Sequence, residues 1–162
     1  MAGRDGNRAV LWKNGVATYL SSGSAGRDKP NSVFVKDGTV YVAGKEAGKP
    51  RLWVDGTGYY LSDSAGEALS VSVANGNVYV GGKHRIKAPS LNHPGDGEQP
   101  VMSGVIWKNG TPITYFSNFS EFTTEVTSVF ATGTDIYATG TTLDLTTGSI
   151  ASEANSVYVV RR

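Results

Sequence analysis

The segment LWKNGVATYL at residues 11–20 spells a strand, a two-residue turn and a second strand, and it returns as LWVDGTGYYL at 52–61 and IWKNGTPITYF at 106–116. A chain that repeats one hairpin at intervals is committed to a stack of like units, because a lone hairpin cannot bury its apolar face and finds cover only against the next copy. A second hairpin alternates with the first: NSVFVKDGTVYVAG at 31–44, LSVSVANGNVYVGG at 69–82 and TSVFATGTDIYATG at 127–140. One full unit therefore reads S-V-x-V, a turn, V-Y-V-x-G, a polar loop, x-x-W-x-(N/D)-G and a Tyr-rich strand. Two hairpins make a unit of four strands.

Three features support strands over helices. Runs such as Val40-Tyr41-Val42 and Val78-Tyr79-Val80 are β-branched and aromatic, the types that fit a pleated surface. Each run is short and ends in a turn, whereas a helix needs about 11 residues. The turns are Asn14-Gly15, Asp37-Gly38, Asp55-Gly56, Asn75-Gly76 and Asn109-Gly110, dipeptides that accept positive φ at both central positions of a hairpin.

Spacing gives the period. Tyr41 to Tyr79 is 38 residues and Trp12 to Trp53 is 41, close to the ~40–45 of four-stranded propeller blades. Trp53 to Trp107 is 54, because KHRIKAPSLNHPGDGEQPVMS at 83–103 is inserted in the third unit. Residues 1–162 thus predict one all-β, propeller-like domain of tandem four-stranded antiparallel blades, about three and a half to four units. Trp12, Trp53, Trp107, Tyr41, Tyr79 and Tyr137 recur as its structural repeat positions. Large apolar bodies with one polar atom suit the space between neighbouring blades; the sharper alternative is a set of aromatic platforms for sugar rings.

The unit, above all VYVAGKEAGKPRLWVDG, NSVFVKDGTVYVAG and LWKNG, resembles the W-K-N-G repeats of bacterial β-propeller proteins, from about Ala9 to Gly140. The resemblance implies a propeller fold and an extracellular or cell-envelope location. It brings no catalytic residues. The initiator Met falls in the middle of a repeat, which sets up the expectation of a longer natural chain or a trimmed piece. The tail TLDLTTGSIASEANSVYVVRR lacks W-K-N-G, and NSVYVV within it reads either as a first strand like NSVFVK or, preferred slightly, as a degenerate third strand.

Composition narrows the function classes. Fifteen Lys and Arg stand against 14 Asp and Glu, and the formal net charge is +1. The cations are scattered apart from Lys83, His84, Arg85 and Lys87 and the last two residues, so no basic stripe marks a nucleic-acid partner. No run reaches the ~20 apolar residues of a membrane-spanning helix, and the first ten residues have no apolar stretch of secretion-signal length. Without cysteine, thiolate metal sites, thiol nucleophiles and disulfides are excluded.

Rare polar types gather only in the insertion, where His84, His93, Asp96 and Glu98 are the candidate ligand-binding residues, read as lying in a solvated 83–103 loop. Two His and two carboxylates have the chemistry of a divalent-metal site or an acid/base pair, but their spacing matches no known ligand motif, and neither a metal nor another cofactor is expected. A low-ranked hydrolase reading uses the same loop. SDSAG at 62–66 and SSGSAG at 21–26 read as turns, without the strand-to-helix elbow of a nucleophilic serine. Tyr59 and Tyr115 are the candidate glycan-stacking residues, and Asn118-Phe119-Ser120 is a lone glycosylation sequon. The sequence expectation is a non-catalytic binding or scaffold module. Its alternatives are a lectin-like propeller with a glycan or protein ligand, and a self-assembling subunit whose terminal strands complete blades in a homo-oligomer.

Overall fold

The computed structural model describes residues 1–24, 27–90, 93, 95–116, 120–133 and 135–146, together with the backbone of 158–160. Over these residues the protein is all-β, with no helix. The first sheet holds β1 (Ala2–Asp5), β2 (Arg8–Lys13) and β3 (Val16–Tyr19), and the second β4 (Lys29–Lys36), β5 (Thr39–Glu46), β6 (Lys49–Val54) and β7 (Thr57–Tyr60). The third holds β8 (Gly66–Ala74), β9 (Asn77–Pro89), β10 (Glu98–Lys108) and β11 (Thr111–Tyr115). The fourth comprises β12 (Phe122–Thr132), β13 (Asp135–Asp144) and β14 (Tyr158–Val160). Every sheet is an antiparallel meander in sequence order.

Local chemistry sets these hairpins. All five expected turn dipeptides have positive φ at both residues, for example Asn14 at 51° and Gly15 at 79°. That is the backbone twist of a type I′ turn, which matches the twist of the flanking strands. A sixth turn of this kind, Ala47-Gly48 at 52° and 76°, has no Asn or Asp to announce it.

The glycine that ends each V-Y-V-x-G run has a packing role. It lies opposite a β-bulge in the preceding strand, at Pro30/Ser32, Ala68/Ser70 and Val126/Ser128. The bulge presses backbone against the glycine, so that a Cβ built on Gly44, Gly82 or Gly140 would stand 2.3, 2.2 or 2.3 Å from a main-chain oxygen. No side chain fits there.

The core consists of the layers between consecutive sheets. Ala9, Leu11, Leu20, Val40, Val42 and Trp53 fill the first. Ala43, Leu52, Leu61, Ala68, Val71, Val80, Val105 and Trp107 fill the second, with Phe34 and Tyr41 packed at its margin. Tyr79, Ile106, Val126, Val129, Ala131, Ile136 and Ala138 fill the third. Trp53 and Trp107 are completely buried, which makes them packing residues and leaves no ring face for a sugar. Trp53 also donates from Nε1 to the carbonyl of Leu20, the residue that follows β3, at 2.8 Å. Trp12 is only half-buried and Tyr137 is exposed.

Two expectations about the chain's second half have definite outcomes. The 83–103 insertion is not a loop. Most of it lengthens β9 and β10 into a paired arm that runs from His84↔Ser103 to Pro89↔Glu98. Alternation explains the difference: His84, Ala88, Val101 and Ser103 are buried while Arg85 and Lys87 are exposed, the period of a half-buried strand, whereas the prolines and glycines drew attention to the tip alone. The tail behaves as the preferred reading held, since β14 pairs antiparallel with β13 in the third-strand position.

Gly82→Ala is expected to cost about 1–3 kcal/mol by overpacking against the Glu67 main chain, seen as a lower urea midpoint with unchanged slope.

Candidate functional site

The strongest polar constellations lie between sheets. Glu67, at the start of β8, receives Lys29 at 2.8 Å and Lys45 at 3.8 Å from the second sheet. Asn31, the extra residue of the β4 bulge, donates to Glu67 Oε1 and to the Ala68 carbonyl, both at 2.8 Å. Burial alone would raise the Glu67 carboxyl, but the Lys29 and Asn31 hydrogen bonds and the two ammonium charges outweigh it and hold the group below the usual carboxylate range. The next interface repeats the device, with Lys83 on Glu125 at 2.5 Å and Thr141 donating to Glu125 at 3.3 Å. Ser72 adds a neutral link by accepting from the Ala131 amide at 3.1 Å. These groups latch one sheet to the next.

His84 stands at the register position of Glu46 and Asp5 in the earlier sheets. Its ring is buried, stacked on Tyr115 at 5.6 Å and 7° and edge-on to Trp107 at 5.6 Å. Nδ1 lies 2.8 Å from Ser62 Oγ, while Nε2 and Trp107 Nε1 have no hydrogen-bond partner among the described residues. Burial pushes the imidazole below its ordinary value, because charging it would strand a cation among aromatic rings.

The four polar residues of the insertion do not converge. Five register steps along β9 separate His84 from Pro89, about 17 Å at the rise of a strand, and His93, Asp96 and Glu98 sit exposed at or beyond the far end. Among the described residues no group of three or more His, Asp or Glu is placed to hold a metal ion. The pairing of β9 with β10, which extends a strand where the spacing suggested a loop, is what separates them.

The tyrosines fall into a pattern that spacing had disguised. Tyr19, Tyr60 and Tyr115 occupy one register on the outermost strands, opposite Val10, Arg51 and Val105, and all three are exposed. The counterpart of Tyr115 is therefore Tyr60. Tyr59, opposite Leu52, is also exposed but lies outside this row. Each ring in the row is backed by a polar neighbour. Arg8 lies 3.7 Å over Tyr19, Arg51 lies 3.9 Å over Tyr60, and His84 stacks on Tyr115. Asp5 accepts from the Tyr19 hydroxyl at 2.8 Å, and Glu46 holds Arg51 at 2.8 Å. The expected sequon at Asn118 lies outside the described residues.

No family model and no curated protein matches the chain. Among solved structures it is similar to the crystal structure of the computationally designed Ika8 protein in P63 crystals, at 14% identity and a TM-score of 0.39, covering 95% of this chain and 48% of the other. The chain thus spans about half the length of that designed protein.

The His84 ring gives a signed pH effect. Its folded pKa is depressed, so the unfolded chain binds the extra proton more readily, and stability is lost as pH falls below the ordinary imidazole value of ~6.5. His84→Phe is expected to keep the stacking and flatten the melting temperature between about pH 6.5 and 5, a window above the one in which Glu67 titrates.

Proposed function

We propose that the protein is a non-catalytic binding and scaffold module, its four sheets serving as blades of a propeller-like assembly of the kind the W-K-N-G resemblance implies. The observation that supports this most is the division between inner and outer aromatic residues. The repeated tryptophans Trp53 and Trp107 are sealed inside, and the polar side chains nearest to a reactive constellation are engaged in latching sheets. The tyrosine row at 19, 60 and 115 is what the outer strands present at regular register.

Within this reading the ligand class that suits the row is a glycan. A pyranose ring offers a flat C–H face to a tyrosine ring and hydroxyls to its phenol oxygen, and an oligosaccharide repeats that offer along its length, as the row does from sheet to sheet. Arg8, Arg51 and His84 fix the rings in orientation and reduce the ordering cost of binding.

Titration calorimetry against a panel of neutral oligosaccharides tests the assignment. Binding is expected to weaken by at least about tenfold in Tyr60→Ala, a loss of roughly 1.4 kcal/mol, with the melting temperature almost unchanged because Tyr60 is exposed. Absence of binding to every member of the panel would remove the glycan reading.

A further inference from the structure

In a repeat protein the side chains that recur do the packing, and recognition falls to what single units add. In the first two sheets the hairpin that follows the V-Y-V-x-G strand turns at once, after Asp5↔Arg8 and Glu46↔Lys49. In the third sheet the equivalent pair, His84↔Ser103, is followed by five more, out to Pro89↔Glu98. The fourth sheet lengthens at the same end, since β12 and β13 pair on to Phe122↔Asp144, three pairs beyond Glu125↔Thr141, the equivalent of the Lys29↔Lys45 pair at which β4 and β5 stop. Two arms thus stand together, and between them lies a groove of about 360 Å³ lined by Arg85, Pro100, Val101, Met102, Thr123 and Leu145.

Bonds between the arms fix the shape of this groove. Thr123 Oγ1 donates to the Met102 carbonyl at 3.0 Å. Towards the tip, the Ser120 amide donates to the Pro89 carbonyl at 3.1 Å, and Ser90 Oγ donates to Glu121 Oε1 at 2.5 Å. Leu145 is pinned by its amide to the Glu121 carbonyl at 2.7 Å, yet it is 54% exposed. Arg85 lies opposite Met102 and Lys87 opposite Pro100, so the two cations share one face of β9. Both are exposed, and neither takes part in an ion pair among the described residues, whereas Lys83, the preceding cation on that face, is neutralised by Glu125. The acids next to Leu145 are engaged elsewhere, Glu121 by Ser90 and Asp144 by Thr146.

We propose that the groove between the arms is a binding site for a small organic carboxylate that carries an apolar chain. Arg85 supplies a guanidinium fork without a competing acid, the geometry that takes a carboxylate through two parallel hydrogen bonds, and Lys87 adds a second positive charge on the same face. Pro100, Met102 and Leu145 offer the apolar surface on which the chain is removed from water. A groove of about 360 Å³ stands at the small end of the ~300–1,000 Å³ of small-molecule sites, which suits one chain of medium length. Because the arms are already bonded to each other, binding orders few groups. The site lies on the arms of the third and fourth sheets and is independent of what the tyrosine row on β3, β7 and β11 binds.

Titration calorimetry of the full chain with octanoate, octanamide and acetate tests this. Octanoate is expected to bind at one site per chain. Octanamide, which keeps the chain and lacks the charge, and acetate, which keeps the charge and lacks the chain, are each expected to bind at least about tenfold more weakly. Arg85→Gln is expected to weaken octanoate by at least about tenfold while leaving octanamide and the melting temperature unchanged, because Arg85 is exposed and unpaired. Leu145→Asp, a second exposed position, is expected to weaken octanoate as well by placing a like charge in the groove, and it decides the question should Arg85→Gln fail to fold. Tyr60→Ala is expected to leave octanoate binding intact, which separates this site from the tyrosine row. No octanoate binding by the wild type, equal binding of octanoate and octanamide, undiminished binding in Arg85→Gln or Leu145→Asp, or loss of binding in Tyr60→Ala would each overturn the proposal.

Discussion

Everything in this structure depends on the fact that a twisted antiparallel sheet buries its faces only against another sheet. Among the described residues the buried apolar side chains gather in three clusters, each between two consecutive sheets. Stability in such a stack resides in nearest-neighbour contacts. The repeated details follow from that constraint: a bulge and a glycine let successive strands approach, a buried tryptophan fills the layer, and a carboxylate caught by lysines from the preceding sheet fixes the relative placement. The Glu67 and Glu125 latches occur at equivalent places for this reason.

The same constraint determines what remains for function. Charged and aromatic groups that would suggest chemistry in isolation are largely accounted for by packing. His84 is the instructive case, since it fills in the third sheet the position that Glu46 and Asp5 fill in the second and first. In each sheet that position works with the outer tyrosine of the row, through a salt-bridged arginine at Tyr60, a direct hydrogen bond at Tyr19 and a stacked imidazole at Tyr115. Three chemistries perform one mechanical task, and each leaves its tyrosine exposed on the outer strand.

Much of the local architecture was legible in the sequence, because turns are encoded in two residues at a time. The Asn-Gly and Asp-Gly dipeptides located five hairpins; Ala47-Gly48 escaped because nothing about alanine signals positive φ. The arm at 83–103 escaped because its Pro and Gly residues dominate a local reading, while the alternation that makes Ala88 and Val101 buried partners is faint. Tyr59 was selected and Tyr60 passed over for a related reason: adjacent residues on a strand face opposite ways, and only the pairing of β6 with β7 establishes which one shares the register of Tyr115. The role of the glycine in V-Y-V-x-G needed the bulge across from it.

Hydrogen exchange followed by mass spectrometry tests the central claim most directly, because it reads the protection of each strand separately. The account predicts strong protection of β5, β9 and β10, whose side chains fill the layers between sheets, and weak protection of the exposed outer strands β3, β7 and β11. Protection of β3, β7 and β11 equal to that of β5, β9 and β10 would contradict a core confined to those layers.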